Sequence, residues 1–429
     1  MPSSERLYYS DSFLKSFTGV VTGVREVSAG ADGAIWKISL DRSAFYPTSG
    51  GQPFDTGVLR VSSTGGSVVD IPVEEVEEDE AGAVWHFTRS PFSTGAQVEG
   101  RIDWDRRFDH MQQHTGQHLL SAIFQRELQA ATVSFHLGEA VSTIDLAVAP
   151  PAHHSLERVE RIANEVIGED RPVCALHVSR DEAEGMLASG ELRKLPDRQG
   201  DIRLIDIADC DRNACGGTHV RSTGQIGGLL VRGVEKVSRG VRVEFVCGLR
   251  AVRTARADAA ILSGISAQLS TGAPELSAAV KRLLADEKAG AKERQKLREE
   301  LAAFQAGKLA SEEPIARGLR LLVREWKDRD RDYVKMLASR TAAAAASTAV
   351  IFLAKESDPL RVFVARSQDL RFDSGRVLRE ALTQFGLRGG GSPDLAQGDL
   401  PRELEAALVA ALSSTIRGLV GESSPQSEN

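Results

Sequence analysis

Three histidines, His110, His114 and His118, recur at intervals of four in the run FDHMQQHTGQHLLSAIFQREL. Apolar residues at Leu119, Leu120, Ile123, Phe124 and Leu128 give that run a helical period, so the imidazoles share one stripe of a buried helix. They cannot all serve one ion. His110 and His118 are eight residues apart, about 12 Å of helix, too far for two ligands that each sit ~2 Å from a metal. The usable pairs are His110 with His114, or His114 with His118. Ninety-seven residues beyond His118, Cys215-Gly-Gly-Thr-His219 supplies a soft thiolate and a further imidazole. Its glycines let the backbone turn tightly enough for both side chains to converge. The two halves together offer a Cys-His₃ set of the kind that binds Zn2+. Cys210 is a substitute ligand, whereas Cys174 and Cys247 lie in strand patterns and read as core.

Other chemistries are poorly served. HEXXH needs Glu beside its first histidine, and Thr115 stands there, with Gln117 before the second. No GxxxxGK[ST] phosphate loop occurs in the sequence. Two glycine-rich runs could bring backbone amides close to a ligand, or could be mere turns and loops: Gly50-Gly51-Gln52 within FYPTSGGQPFDTG, and Gly389-Gly390-Gly391-Ser392-Pro393.

The elements that must position these groups can be read from the periodicity. Residues 1–100 hold short β-rich runs such as GVVTGVREV, AIWKISLD and AVWHFTR, separated by Gly, Asp or Ser turns, which predicts a small β-barrel. Residues 101–250 mix the histidine helix, the helices PPAHHSLERVERIANEVIGE and RDEAEGMLASG, and strands ending in VRVEFVCG, an α+β unit. Residues 251–310 form a helical spacer, solvent-bridging or folded as a hairpin. Its 3-4 seam of Leu276, Val280, Leu283, Leu297, Leu301 and Phe304 is interrupted by Glu287, Gly290 and Arg294. Residues 311–429 alternate strands with a helix as a compact α/β unit ending in a frayed tail, ESSPQSEN. The fold class expected is therefore α+β and multidomain, as about three domains' worth of chain in 429 residues allows.

Composition narrows the classes further. With 41% hydrophobic and 26% charged residues the chain is globular rather than disordered or fibrous. Its net charge of −7 is the sum of one segment, Asp70 to Glu80, which carries seven acids and no base. The remainder is neutral and locally basic: Arg232 to Arg253 sums to +4 and Leu360 to Arg388 to +3, patches that could meet phosphates or be ordinary solvated faces. The longest uncharged apolar stretch, Thr341 to Ala354, has fourteen residues, so no membrane span is expected. Four scattered cysteines and a start without an apolar signal core point to a reducing, cytoplasmic setting.

In this order, FYPTSGGQPFDTG, HMQQHTGQHLLSA, TVSFHLG with STIDL, CGGTH and GVRVEFVCG resemble the editing domain of alanyl-tRNA synthetase and its free-standing relatives, the AlaX proteins. RGGGSPDLAQG resembles the glycine-rich motif of that synthetase's C-terminal, DHH-associated domain. The resemblance covers residues 5–250 and, less fully, 340–400. It implies the long AlaX form: a zinc-containing editing domain that hydrolyses the ester of tRNA(Ala) mischarged with serine or glycine. It implies zinc ligation by His114, His118, Cys215 and His219, which leaves His110 a packing or supporting role. No segment resembling the synthetase's aminoacylation domain precedes the motifs, so activation of alanine is not expected.

One departure concerns the residue before the second zinc histidine, often Thr in the synthetases and Gln117 here, so serine discrimination could pass to Thr115 or another group. Candidate catalytic groups are Thr115, Gln117 and His136. Gly50, Gly51, Gln52 and Gly389 to Gly391 are candidate substrate-binding positions. The alternatives weighed are a non-catalytic, zinc-stabilised tRNA adaptor and a DHH-type phosphodiesterase. The latter lacks its Asp-His-His triplet, since Asp109-His110 is followed by Met111. A homodimer through the C-terminal region is a further expectation.

Overall fold

The computed structural model describes all residues except 1–3, 31–32, 63–67, 193, 198–199 and 422–429. The expected frayed tail thus lies outside the described residues. The protein is a mixed α/β chain of two compact units, Met1–Gly264 and Ile265–Asn429.

The first unit opens with a seven-stranded antiparallel sheet whose order is Val68–Val73, Gly57–Ser62, Gln97–Ile102, Ser16–Gly30, Gly33–Leu40, Val84–Thr88 and Glu75–Glu78. Its two outermost strands follow one another along the chain, parted by Glu74 alone. Alternation fills the interior with Val21, Ile38, Leu40, Phe45, Leu59, Val76 and Val98.

The histidine helix then spans Trp104–Leu128, capped by the Asp103 carboxylate, which accepts from Arg106 N, and ended by Gln129 in the left-handed region. It is buried over most of its length. Leu119, Leu120, Ile123 and Phe124 join Val241, Val243 and Phe245 of the strand Gly240–Cys247 in one core. That strand belongs to a four-stranded antiparallel sheet with Thr132–Leu137, Ser142–Leu146 and Leu229–Val237. A separate three-stranded sheet, Val173–Val178, Ile202–Ile207 and Asp211–Ala214, carries the cysteine loop off its last strand. The cysteine run is thus entered directly from the strand Asp211–Ala214. Cys247 is core as expected, but Cys174 is exposed. It lies on the edge strand of the small sheet, which little covers.

Beyond the helix Gly248–Leu269, the second unit holds the long spacer helix Leu276–Glu312 and a five-stranded sheet. The sheet's strand Thr348–Ala354 is buried at every residue, the pattern of a central strand covered on both faces. A C-terminal helix, Glu405–Gly421, presses Leu408, Leu412 and Ile416 onto this sheet. Among the described residues Arg402–Gly421 is long and apolar enough to cross a membrane by length and composition. Glu405 and Arg417 punctuate it, and only one narrow face, Leu408, Leu412 and Ile416, is buried.

The triglycine run is no loose loop. Gly389–Gly391 is a short edge strand paired with Leu395–Leu400, and a Cβ on Gly389 would meet Leu382 Cδ1 at 2.3 Å. Here glycine serves packing of strand against helix. The basic patches are also partly spent. Arg232, Arg242 and Arg250 pair with Asp258, Asp145 and Asp109, and Arg361, Arg366 and Arg376 with Asp399, Asp394 and Glu380.

Candidate metal centre

His114 and His118 lie one turn apart on the histidine helix, and the loop after Ala214 brings Cys215 and His219 against them. One ligand atom from each of the four falls within 4.8 Å of the others. Cys215 Sγ stands 3.5 Å from His114 Nε2 and 3.3 Å from His219 Nε2. His110 is buried one turn away and outside the group, its Nδ1 without a partner. Cys210 is not part of the group either; it sits in the turn before the strand Asp211–Ala214.

Every imidazole in the cluster is held from behind. His114 Nδ1 donates to Gln52 Oε1 at 2.8 Å, and Gln52 is fixed in turn by Thr218, whose N–H donates to the same oxygen at 3.1 Å. His118 Nδ1 lies 3.2 Å from Asp211 Oδ2. His219 Nδ1 donates to Thr115 Oγ1 at 3.1 Å, while that hydroxyl donates to Met111 O at 2.9 Å. Engaging each Nδ1 turns each Nε2 toward the thiol, so a metal would bind Nε2 and displace the proton that His118 otherwise carries there. Burial alone would push the Cys215 thiol up, but His114 and His219 outweigh it and hold the group well below its ordinary range, as thiolate. Burial likewise works to lower His118, yet Asp211 and Cys215 push it up to about 10. A thiolate and three oriented imidazoles, all buried or half-buried, could hold a metal ion, and this donor set is consistent with zinc.

The glycines of the loop act differently from the expected tight turn. Neither Gly216 nor Gly217 has a positive φ. Gly217 instead passes so near the His114 ring that a Cβ would meet Cε1 at 2.1 Å. Arg203, nearly buried, holds the loop by donating to Cys215 O at 2.7 Å and Gly217 O at 3.0 Å.

His114, His118 and Cys215 form the floor of a cleft of about 500 Å³, walled by Tyr46, Gly50, Gln117, Ser121, Phe135, Lys194 and Asn213 among others, while His219 lies behind them and outside its lining. Gln117 faces this cleft, donates to Ser121 Oγ at 2.8 Å, and leaves its buried Oε1 without a partner. Thr115, Gln52 and His136 do not line it. Thr115 sits a third of a helical turn off the cleft face and steadies His219. Gln52, with Gly51 and Gly50 at φ +81° and +54° before it, turns inward to His114. His136 is exposed, because strand alternation that aims Phe135 at the His114 ring aims its neighbour away.

Sequence reasoning missed Asp211, Arg203 and the Arg107–Asp55 pair. Asp211 stands four residues before Cys215, and that proximity was the available signal. Arg107 and Asp55 are both fully buried; Arg107 Nε donates to Asp55 at 3.0 Å, and Asp55 also accepts from Tyr46 N at 2.6 Å. This pair ties the glycine-rich loop that carries Gln52 to the first turn of the histidine helix.

Residues 1–106 match the family of class II (A) tRNA synthetases, residues 202–243 the second additional domain of threonyl- and alanyl-tRNA synthetases, and residues 318–418 the DHHA1 domain. The alanine–tRNA ligase of Pyrococcus abyssi is 36% identical over 70% of this chain and 32% of its own length. That of Pyrococcus furiosus is 32% identical over 95% of this chain and 43% of its own. An alanyl-tRNA editing protein of Bos taurus is 33% identical over 64% of this chain and 61% of its own. The chain thus spans less than half the length of the synthetases it matches. It belongs with the AlaX-like relatives of alanyl-tRNA synthetase.

Proposed function

We propose that the protein is an aminoacyl-tRNA deacylase that hydrolyses the ester of mischarged tRNA(Ala), with serine as first substrate and glycine as second. The observation that carries this reading is the cluster of Cys215, His114, His118 and His219, three of which, His114, His118 and Cys215, line a cleft large enough for an aminoacyl ester. Zinc held by these four residues would supply Lewis-acid polarisation or a rigid floor that shapes the pocket. The chain's own groups do the rest. An aminoacyl ester is already labile, so holding its carbonyl beside an ordered water provides much of the acceleration. Gln117 offers an unpartnered Oε1 to a substrate hydroxyl or ammonium, and Ser121 and Thr132 extend that polar wall. A buried polar partner separates serine from alanine more sharply than a methyl-sized pocket can. Gly50 lines the cleft, while Gln52 and Thr115 act through the histidines they hold.

The same reading takes residues 1–100 as a small barrel, 101–250 as the editing domain, 251–310 as spacer and 311–429 as a DHH-associated domain that grips tRNA, with Gly389 to Gly391 near the nucleic acid. It places the protein in the cytoplasm. It includes a homodimer through the C-terminal region.

The test is incubation of Ser-tRNA(Ala) and Gly-tRNA(Ala) with the purified chain, with metal analysis of the same sample. Release of free serine by a zinc-loaded protein is expected, and His114→Ala should lose zinc and deacylation together. Protection of the ester would instead identify a tRNA-binding adaptor.

A further inference from the structure

His219, the one member of the cluster that the cleft does not reach, lines a second cavity of about 110 Å³. This cavity opens between residues 9–13 of the N-terminal segment and the small three-stranded sheet. Two arginines, Arg203 and Arg221, face a single acid, Asp11, across it.

Arg203 is the unusual wall. It is 4% exposed, yet among the described residues no carboxylate pairs with it. Nε donates to Tyr9 O at 3.2 Å and Nη1 to the carbonyls of Cys215 and Gly217, while Nη2 donates to nothing. The anionic group it feels most is the Cys215 thiolate, a charge that a bound metal would claim. A guanidinium keeps its charge when taken out of water, and leaving that charge uncompensated is costly. A spare donor on such a group, beside a polar cavity, is a place for an anion.

The remaining walls supply more donors. The Arg221 guanidinium lies 4.1 Å from the Phe13 ring centroid and gives only Nη2 to Asp11 Oδ1, at 3.2 Å, which leaves its other guanidinium nitrogens unengaged. That same Asp11 oxygen accepts from Phe13 N at 2.9 Å. Val173 N–H points off the sheet edge to Arg221 O at 2.9 Å, and antiparallel alternation turns Ala175 N–H to the same edge, where no partner meets it. Ser12 Oγ makes only long contacts of 3.4 Å, with Tyr8 O and His219 N, so its hydroxyl is free to turn. The segment itself is fixed, because buried Arg107 donates to Ser12 O at 3.0 Å.

We propose that this cavity is an oxyanion site for a phosphate-class group, bound by Arg203, Arg221 and Ala175 N–H, and that it balances the charge of the arginine gripping the cysteine loop. Its volume suits one tetrahedral oxyanion, free or at the end of a chain, and is too small for a nucleoside.

Calorimetric titration of the full chain with inorganic phosphate, against chloride at equal ionic strength, tests it. One phosphate per chain is expected, with a dissociation constant on the order of 1 mM. Arg221→Gln should weaken binding roughly tenfold. Asp11→Asn should tighten it severalfold, because the acid facing the anion loses its charge. Both side chains are half or more exposed, so neither change threatens the fold. Cys174, exposed and on the same wall, locates the event. Phosphate should slow its alkylation, read by mass spectrometry, in the wild type and far less in Arg221→Gln. Competition by a 5′-phosphorylated dinucleotide would assign the site to a nucleic-acid terminus, and bound phosphate without such competition to the free ion. No binding beyond chloride, an Asp11→Asn chain that binds no tighter, or Cys174 alkylation indifferent to phosphate, as capture by a metal in the cleft would give, would each overturn the proposal and leave the cavity to water.

Discussion

The histidine helix and the spacer helix are mirror images in polarity. Between Arg107 and Ser121 the first buries His110, Gln112, Gln113, His114, Thr115, Gln117 and His118, side chains that usually face water. Between Val280 and Phe304 the second exposes valine, leucines and phenylalanine. Both break the ordinary amphipathic rule, and the breaks mean different things. Polar groups held inside a helix bundle need partners, and almost all of these have them, which converts an unfavourable burial into an oriented metal site. Apolar groups held outside need nothing to be satisfied; they gain only when covered.

The comparison breaks hardest at Arg107. Its guanidinium and the Asp55 carboxylate are both fully buried, so Arg107→Ala strands a charge in the core, a loss of roughly 3–5 kcal/mol. Thermal unfolding should show it as a large drop in midpoint. Because Asp55 anchors the loop that bears Gln52, metal content should fall as well. By contrast Leu284→Lys, a substitution at a 66% exposed position of the spacer helix, should leave the midpoint within about 0.5 kcal/mol of wild type.

A second, smaller effect is expected behind the ligands. Asp211→Asn keeps the shape beside His118 Nδ1 and removes the charge, and Gln52→Leu removes the acceptor behind His114. Each should weaken metal affinity about 10- to 100-fold, read by competition with a chromophoric chelator. An unchanged affinity in both would mean that the rear partners only pack and that tautomer control plays no part.

These residues also divide what could be read from the chain from what could not. The i, i+4 histidines and the Cys-x₃-His run were visible because helical period and motif spacing are local. The break between the helices Gly248–Leu269 and Leu276–Glu312 is local in the same way, since it holds Gly272 and Pro274. Asp211, Arg203 and Asp55 were not, because their roles depend on contacts 93, 14 and 52 residues away, and only Asp211, close to Cys215, has a neighbour that marks it. His136 shows the converse failure. Its position near a motif suggested the cleft, but a period of two sends it to the opposite face. The helix Glu405–Gly421 escaped notice because its core contacts are only three, Leu408, Leu412 and Ile416, among alanines and serines.

The smallest effect belongs to His110, the one member of the buried row on the histidine helix whose Nδ1 finds no partner. Burial first, then the charges of Arg106, Arg250 and Arg107, lower its pKa to about 3, so it is neutral in the folded chain at every ordinary pH. In the unfolded chain it takes a proton near 6.5. Its contribution to stability is therefore fully present above pH ~6.5 and declines as the pH falls from there toward 3, by up to ~1.4 kcal/mol per unit. His86, lowered to about 4 by burial, adds a slope of the same sign, so the wild-type curve contains both. His110→Leu removes one slope and one unsatisfied nitrogen. It should leave stability at pH 7 equal or higher by about 1 kcal/mol and flatten the fall between pH 6 and 4 in denaturant titrations. If the variant instead loses metal or deacylase activity with its stability intact, His110 is part of the site after all, and the buried row on this helix has no idle member.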